Sequence, residues 1–388
     1  MPSKRQRYYC TGCGLCGSLG KASLEYDEKG FLHPVSGDDK WLSKICPCEG
    51  LHTKTMSKSL WGRSRGYYYG WSTDRQVRKH ASSGGVLTEL CSYLLQEKIV
   101  DYIIQTTKDP NDPTQTISVL SSTREQVIGC AGSRYSISHP LDILGTIDLA
   151  KKYAFVGKPC DVIVLKNFLG INQEYKKAIV FTFSFFCAGL PSKHAQTNLL
   201  EALGCTKEEC VSLTYRGDGW PGYTTVQTVY NKKLKMDYES SWGKILGRDI
   251  MPMCRFCIDG LGESADISCG DGWYLSEDGA PDFTEHEGRN IIVSRTVEGD
   301  NLIKDLFSSG LIEIKEVDGA EKELNYIQHF QRERKQTMVA KRVAMTVMFR
   351  AFPAYPASLL FGWSKGAELL QLWWTFKGTV KRIMLGKI

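Results

Sequence analysis

The chain has 388 residues, a formal net charge of +6 at pH 7 and 42% hydrophobic residues. This length predicts two or three domains, and so modest a charge gives no reason to expect nucleic-acid binding. Fourteen cysteines and 37 glycines indicate buried prosthetic groups more than disulfides. Residues 1–9 are basic and polar and lack the apolar segment of a secretion signal, so we expect a reducing, cytoplasmic location.

The first 60 residues carry a cysteine pattern typical of an iron-sulfur site. Three cysteines at intervals of three are followed by a fourth that precedes a proline: Cys10, Cys13, Cys16 and Cys46. In two-cluster ferredoxins the fourth cysteine of each run binds the other cluster. In this sequence the first run is Cys10, Cys13 and Cys16, and Gly20 occupies the position of its fourth cysteine. Of the second run only the final Cys-Pro, at residues 46 and 47, is present. We therefore predict one 4Fe-4S cluster in a ferredoxin-like module, with Cys48 as the competitor for the fourth position.

A structural zinc site and disulfide bonds are the alternatives for these cysteines. Zinc sites usually consist of two Cys-x2-Cys pairs or a mixture of cysteine and histidine, whereas three cysteines with a remote Cys-Pro suit an iron-sulfur cube. Disulfides are the least favoured alternative, because nothing upstream resembles a secretion signal.

A phosphate-binding loop is the next candidate along the chain. Residues 82–85, Ser-Ser-Gly-Gly, precede a segment with helical periodicity at 86–95. Small residues at a helix start let a phosphate approach free backbone N–H groups at the positive end of the helix dipole. The same pattern is also common where a helix simply begins. Residues 128–135 form a second loop, with amide, hydroxyl and guanidinium donors.

Two buried strands, predicted at 152–157 and 178–186, are each followed by a cysteine, Cys160 and Cys187. Strands alternating with helices predict a mostly parallel sheet, whose carboxyl ends bind ligands. Cys254 and Cys257 add two thiols at cluster spacing and would complete a second set of four. Core packing is the alternative for the two single cysteines, and half of a zinc site is the alternative for the close pair.

The end of the chain is basic and aromatic. From residue 335 onward there are nine lysines and arginines against the single acid Glu368. Residues 320 to about 345 predict a polar helix, and no later apolar run approaches the roughly 20 residues that cross a bilayer. Trp363, Trp373 and Trp374 with neighbouring lysines suit a helix lying in a membrane interface. Packing on the protein or on a second subunit is the alternative.

Six motifs, in this order, resemble one known family. They are Cys-Thr-Gly-Cys-Gly-Leu-Cys at 10–16, Ala-Ser-Ser-Gly-Gly at 81–85, Gly-Lys-Pro-Cys-Asp at 157–161, Phe-Phe-Cys at 185–187, Cys-Arg-Phe-Cys-Ile-Asp at 254–259 and Ala-Asp-Ile-Ser-Cys-Gly-Asp at 265–271. Over residues 8–310 the chain resembles the coenzyme F420-reducing hydrogenase beta-subunit family. That family includes deazaflavin-reducing hydrogenases and dehydrogenases, chlorophyll-pathway reductases, and bacterial members encoded with polysaccharide-synthesis enzymes.

The resemblance implies FAD beside 4Fe-4S clusters. It implies that the second cluster is bound by Cys160, Cys187, Cys254 and Cys257. It places the FAD phosphates at Ser82, Ser83, Gly84 and Gly85, and the flavin beside Gly270. Further predicted flavin contacts are Ser133, Tyr135, Gly157 and Pro159. Candidates for orienting a substrate or delivering a proton are Lys158, Asp271 and Arg134, and Asp218 and Asp266 are two further candidates.

This sequence also departs from the family pattern. Lys158 and Asp161 stand where the family motif commonly has threonine and glutamine, and Cys269 is an additional thiol without an assigned role.

We therefore expect an α/β protein, α+β overall, with a ferredoxin-like module at 1–60, a mixed and mostly parallel flavin-binding domain at 61–320 and a helical extension at 321–388. The expected function is an iron-sulfur flavoprotein oxidoreductase with two 4Fe-4S clusters and FAD. Its electron donor would be external, such as a ferredoxin or a deazaflavin coenzyme. Its substrate would be a small molecule, with a sugar nucleotide or glycan intermediate as the leading guess.

Two alternative functions remain open at this point. The first is a non-catalytic electron-transfer subunit of a larger complex, and the second is a zinc-stabilised interaction protein. Peripheral contact with the inner face of the membrane through the C-terminal residues, and a homo-oligomer, are further expectations.

Overall fold

The computed structural model describes residues 1–50, 56–277, 279–386 and 388. Its strands are β1 (Ala22–Tyr26), β2 (Leu32–Gly37), β3 (Gly66–Ser72), β4 (Tyr102–Lys108), β5 (Thr116–Ser121), β6 (Tyr153–Gly157), β7 (Ile179–Phe185), β8 (Cys210–Thr214), β9 (Tyr223–Thr228), β10 (Lys233–Asp237), β11 (Ile267–Asp271), β12 (Asn290–Ser294) and β13 (Ile312–Glu316).

Helices surround these strands. They are α1 (Lys4–Tyr8), α2 (Leu15–Ser18), α3 (Asp39–Ile45), α4 (Arg75–His80), α5 (Val86–Gln96), α6 (Arg124–Gly129), α7 (Pro159–Ile171), α8 (Gln173–Ala178), α9 (Lys193–Ala202), α10 (Pro252–Arg255), α11 (Val297–Ser308), α12 (Ala320–Ile327), α13 (His329–Gln336), α14 (Met338–Val347), α15 (Ala357–Trp363) and α16 (Leu369–Met384). Short 3-10 turns span Pro47–Glu49, Asp142–Thr146 and Leu246–Arg248, and a π-helical segment spans Glu239–Ile245.

An eight-stranded mixed sheet forms the centre of the fold, in the order β13-β3-β12-β11-β7-β6-β4-β5. Its four middle strands, β11, β7, β6 and β4, run parallel, and the pairs outside them are antiparallel. The predicted α/β class with a mixed sheet is confirmed. Parallel pairing is confined to the four middle strands. The middle strands are apolar because helices such as α5 and α7 bury them.

The parallel register aligns the ends of the middle strands. Gly157 at the end of β6 pairs with Ser184 near the end of β7, and Phe185 pairs with Cys269 in β11. Because the carboxyl ends of parallel strands meet at one edge, the chain leaves β6, β7 and β11 at neighbouring points of the sheet. The sequence motifs that follow these strands therefore lie close together.

The segment predicted as the N-terminal module contains the antiparallel hairpin β1–β2, in which Tyr26 pairs with Leu32. Its apolar residues join the core of the larger domain, with Leu15 and Ile45 packed in one cluster with residues of α7. Leu141 N donates a hydrogen bond to Cys13 O at 2.9 Å, and Asn167 Nδ2 donates one to Ile45 O at 2.9 Å. The module and the sheet domain thus share one interior.

The C-terminal extension (residues 321–388) folds back over the protein. Tyr9 Oη donates a hydrogen bond to Ala351 O at 2.7 Å, and Arg5 Nε donates one to Phe352 O at 2.9 Å. One apolar cluster contains Leu360, Trp363 and Ile383 of the extension together with residues of the N-terminal module and of α10. Within the described chain, no helix has both the length and the apolar character needed to cross a membrane.

The polar helix predicted at 320–345 is divided into α12, α13 and α14. The breaks fall at Gln328, with φ −130° and ψ 33°, and at Thr337, with φ −93° and ψ 2°. At the second break the Thr337 hydroxyl donates a hydrogen bond to Glu333 O at 2.7 Å. These breaks turn the chain around the core, which a single straight helix could not follow.

Candidate iron-sulfur and flavin site

The four cysteines of the N-terminal motif surround a cavity of about 460 Å³, here called cavity 1. Cys10 and Cys13 lie in the loop before α2, Cys16 lies within α2, and Cys46 follows α3. The loop can curve around the cavity because Gly12 and Gly14 adopt positive φ values of 65° and 86°. A Cβ atom at Gly14 would lie 2.9 Å from Asp142 Cβ. Local backbone conformation thus groups these thiols as their spacing predicts.

Cys46 and Cys48 are neighbours joined by a hydrogen bond between their side chains, but they differ in what they line. Cys46 lines cavity 1. Cys48 is fully buried in the apolar cluster formed with Tyr9, Phe31 and the C-terminal extension, and it is not part of the cavity wall. Cys48 O accepts a hydrogen bond from Ala354 N at 2.8 Å, which fixes its backbone against the extension. This geometry supports Cys46 as the fourth ligand.

A second cavity, cavity 2, of about 620 Å³ is surrounded by the other four predicted ligands. Cys160 lies in the first turn of α7, after β6, and Cys187 follows β7. Cys254 lies in α10 and Cys257 just after it, and Leu190 N donates a hydrogen bond to Cys254 Sγ at 3.3 Å. The sheet edge thus brings the two single cysteines to the Cys-x2-Cys pair.

The two cavities are neighbours. Thr11 and Pro47 line both of them. Helix α7 also contributes to both, with Ile163 facing cavity 2 and Val164 facing cavity 1. Groups bound in the two cavities would be separated only by these shared walls.

A cysteine binds a metal as its deprotonated thiolate, and a buried thiolate needs a positive charge close by. Burial raises the pKa of Cys16 and of Cys257 to about 11, and that of Cys187 to about 12. The pKa of Cys46 is also raised. The hydrogen bond with Cys48 is the largest cause of this rise, and burial is the second largest. Because thiolates so buried are unfavourable on their own, the positive charge of iron would be required to hold them deprotonated. The donor set therefore fits a cluster in each cavity.

No group of three or more Cys, His, Asp or Glu side chains in the described residues is arranged to hold a metal ion. The inference that each cavity fits a 4Fe-4S cluster rests instead on the four thiols that line it.

Lys158 is buried in the wall of cavity 2 and is paired with Asp161. Its Nζ lies 2.8 Å from Asp161 Oδ2 and donates a hydrogen bond to Ser138 Oγ at 3.0 Å. Burial alone would lower the pKa of Lys158, but the Asp161 carboxylate together with the thiols of Cys160 and Cys187 outweighs burial and raises that pKa. Lys158 was expected to act on a substrate. The structure places it beside the thiols of cavity 2.

The predicted phosphate loop lies between α4 and α5. No acceptor in the described residues pairs with the backbone N–H groups of Ser82, Ser83, Gly84 and Gly85. Gly85 precedes α5 with φ 80° and no side chain caps the helix, and a Cβ at Gly84 would lie 2.6 Å from Gly70 O. Four consecutive free donors at a helix start form a cradle for an anion.

The second predicted flavin loop meets the first. Ser133 N donates a hydrogen bond to Ser82 Oγ. Tyr135 packs on Trp242 with ring centroids 4.7 Å apart and interacts with Arg216. Several predicted flavin residues are thus brought to one edge of the sheet, although only Pro159 among them lines either cavity.

Asp271 at the end of β11 is held by two partners that sequence reasoning did not single out. Arg216 donates to both of its carboxylate oxygens, at 2.8 and 3.0 Å, and Trp220 Nε1 donates to Oδ1 at 2.8 Å. Arg216 is buried and its guanidinium lies over the rings of Tyr238 and Trp273. In the turn-rich segment around residue 216, Asp218 is the predicted candidate, and no motif marks Arg216 or Trp220.

Other candidates have structural contacts. The terminal nitrogens of Arg134 donate to Leu213 O, Pro113 O and Gln115 O, so its suggested contact with a substrate has no support here. Asp266 accepts from both the N–H and the hydroxyl of Thr182 at 2.8 Å. Asp218 forms an exposed pair with His80. Three further positions also have contacts within the protein: Gly157 O accepts from Ser184 Oγ, Gly270 O accepts from Asn290 Nδ2, and Cys269 lies in the main core.

Family models match most of the sheet domain. Residues 67–145 match the coenzyme F420 hydrogenase/dehydrogenase beta-subunit N-terminal model, and residues 150–320 match the corresponding C-terminal model. A coenzyme F420 hydrogenase subunit beta from Methanococcus voltae is 24% identical, over 68% of this chain and 89% of that protein. The chloroplastic 7-hydroxymethyl chlorophyll a reductase of Oryza sativa subsp. japonica is 26% identical, over 68% of this chain and 54% of that protein.

A similar fold is found in a solved structure. A chain of the F420-reducing [NiFe] hydrogenase complex from Methanosarcina barkeri aligns with a TM-score of 0.53 and 22% identity. The alignment covers 73% of this chain and 96% of that one.

Proposed function

Because the chain belongs to the coenzyme F420 hydrogenase/dehydrogenase beta-subunit family, we propose that it is an electron-transfer oxidoreductase holding two 4Fe-4S clusters and FAD. The observation that carries this proposal is the pair of neighbouring cavities, each lined by four cysteines. Cys10, Cys13, Cys16 and Cys46 would hold one cluster. Cys160, Cys187, Cys254 and Cys257 would hold the other.

The free N–H groups at residues 82–85 support FAD. This loop would hold the phosphates at the start of α5, and Ser133 and Tyr135 would flank it. Bound FAD exchanges electron pairs with organic compounds and single electrons with iron-sulfur clusters. The chain's own contribution would be to fix the distances between these groups and to exclude water from the two buried cavities.

We further propose that the chain works with a partner that supplies or receives electrons. Among its relatives are proteins named as subunits, such as the F420-dependent formate dehydrogenase subunit beta of Methanocaldococcus jannaschii, which is 25% identical. The partner could be a ferredoxin, a deazaflavin coenzyme or another protein subunit. The suggestion of a sugar nucleotide or glycan substrate stays a prediction, because it rests only on the resemblance to polysaccharide-associated members.

The proposed function is tested by purifying the chain anaerobically and measuring iron, acid-labile sulfide, zinc and flavin. Two 4Fe-4S clusters predict about eight irons per chain together with FAD, and dithionite should bleach both chromophores. Reoxidation by candidate acceptors, with coenzyme F420 first, would then identify the substrate class. A colourless protein containing zinc and little iron would overturn the proposal in favour of an interaction protein, and roughly twelve irons would show that the ligand count is wrong.

We also propose that helix α16 contacts an anionic membrane surface. Its outward face carries Leu369, Leu370, Trp373 and Trp374, which are 53 to 85% exposed. Lys377 and Lys381 are exposed on the same face, since they follow Trp373 at intervals of four residues. Apolar rings flanked by lysines suit an interface rich in anionic lipid. A second copy of the chain is a less suitable partner for this face, because pairing two α16 helices would bring the lysines of both copies close together.

A further inference from the structure

Helix α13 covers the loops that carry the ligands of cavity 2. Gln331 Nε2 donates a hydrogen bond to Cys187 O at 3.0 Å, and an Arg334 terminal nitrogen donates one to Ala188 O at 3.1 Å. One turn of the helix is anchored further by Lys335, whose ammonium donates to Leu60 O at 2.8 Å and forms a buried ion pair with Glu263. Two of these four contacts fix α13 against the backbone at Cys187 and Ala188, and the other two hold the helix to Leu60 and Glu263.

Arg334 is the residue of α13 that reaches the cavity itself. It lines cavity 2 together with Cys187, Cys254 and Cys257. It forms no ion pair with another described residue, and its terminal nitrogen bonds a neutral carbonyl. The helix lies beyond residue 320, where the matched family model ends. This charge is therefore a feature of the present chain that the family comparison does not assign.

Two other charged residues line cavity 2, and both have partners within the protein. The Lys158 ammonium is neutralised by Asp161 at 2.8 Å. Asp259 also lines the cavity, but its carboxylate accepts hydrogen bonds from Leu261 N and Glu263 N. Arg334 is left as the cation in this wall whose charge no neighbouring carboxylate pairs with.

We propose that Arg334 raises the reduction potential of the cluster bound in cavity 2, an inference that rests on the proposed function. Reduction adds one electron to the cluster, supplied in the test by dithionite, and breaks no bond. The cluster becomes more negative by one charge, so a nearby guanidinium stabilises the reduced form more than the oxidised form. Net charge and hydrogen bonding around a cluster are among the factors that set its potential. The guanidinium of Arg334 is partly exposed, so solvent screens its charge in part, but it lines the same cavity as the thiols.

The experiment is a potentiometric titration of the anaerobically purified full-length chain, followed by electron paramagnetic resonance. Three variants are compared with the unchanged chain: Arg334→Gln, Arg334→Lys and Arg332→Gln. Arg332 is the matched control, because it lies on the same helix, carries the same charge and is not part of the wall of cavity 2.

Arg334→Gln should move one of the two cluster potentials to a more negative value and leave the other in place. Arg334→Lys should return most of that shift, and Arg332→Gln should leave both potentials unchanged. The inference is overturned if Arg334→Gln leaves both potentials in place, or if Arg332→Gln moves the same one as far. Iron and sulfide are measured on every sample, so a chain without clusters would contradict the proposed function itself, whereas a full complement with unmoved potentials would contradict only the role of Arg334.

Discussion

Thr11 and Pro47 stand between the two thiol-lined cavities and form part of the wall of each. Thr11 follows a predicted ligand of cavity 1, Cys10, and Pro47 follows another, Cys46. The Cys-Pro that completes the N-terminal motif therefore also approaches the second set of thiols. This arrangement places the two proposed clusters side by side, so electrons would need no further carrier between them.

The first prediction separates Cys46 from Cys48. Cys46→Ser should lower the iron content by about four atoms per chain, because it removes a thiol from the wall of cavity 1. Cys48→Ser should keep the full iron content, because that thiol lies in the apolar cluster beside the C-terminal extension. Iron and acid-labile sulfide analysis of both proteins checks this. Retention of iron by Cys46→Ser together with loss by Cys48→Ser would reverse the ligand assignment.

The second prediction concerns the anion cradle at Ser82. Ser82→Asp would keep an oxygen that can accept from Ser133 N but would place a negative charge beside the four free N–H groups. We expect this variant to lose most of its flavin, because a carboxylate repels phosphate from the helix start. Ser82→Asn is the matched control, with similar size and no charge, and should retain flavin.

The readout for Ser82 is the ratio of extracted FAD to protein, with iron content measured on the same samples. Equal flavin in the aspartate and asparagine variants would exclude this loop as the phosphate site. A loss of iron together with flavin would instead indicate a general folding defect.

The third prediction is a pH dependence of stability at Asp300. Its carboxylate accepts hydrogen bonds from Tyr68 and Ser294 at 2.8 and 2.7 Å and pairs with Lys304 at 2.7 Å. Burial works to raise its pKa, but these partners outweigh burial and lower it. A lowered pKa in the folded state stabilises the protein above the unfolded-state pKa, and the contribution is lost as the pH falls through the folded-state value.

Asp300→Asn should therefore lower the thermal midpoint by roughly 1 °C at pH 7, and the difference from the unchanged chain should shrink as the pH falls below about 4. Thermal unfolding followed by circular dichroism at several pH values measures this. Asp305→Asn, on the same helix α11, is the control and should have little effect, because Asp305 is exposed. A difference that stays constant down to low pH would contradict the electrostatic explanation.

The fourth prediction tests the outward face of α16. Replacing Trp373 and Trp374 together by serine should reduce binding to vesicles that contain anionic lipid, since both rings are more than half exposed. Added salt should weaken binding of the unchanged chain, because exposed charges are screened. Tyr230→Ser is the control, as this ring is 67% exposed on the turn between β9 and β10. Unchanged cosedimentation of the double variant would exclude α16 as the contact.

The grouping of the cysteines was predictable in part, because spacing brings some of them together and strand order brings others. Cys10, Cys13 and Cys16 are grouped by their spacing and by two glycines with positive φ. Cys160 and Cys187 follow strands whose parallel pairing brings their ends together. The sequence thus predicts which thiols meet, because strand ends and short loops leave few other arrangements.

The side chains around these thiols were harder to predict. Arg216 meets Asp271 across a separation of 55 residues, and no motif marks that pairing. Arg334 lies in α13, between the breaks at Gln328 and Thr337, and no motif marks its position in the wall of cavity 2. Such contacts depend on how distant segments pack, which periodicity and spacing do not report.

The hydrogen bonds of Arg5 and Tyr9 have a consequence for biogenesis. Their acceptors, Phe352 and Ala351, lie 347 and 342 residues further along the chain. During synthesis on the ribosome, the N-terminal segment therefore cannot form these native contacts until residues 351 and 352 have been translated. Tyr9 lines cavity 1, so one part of the wall of that cavity can be fixed in place only after residues 351 and 352 have been translated.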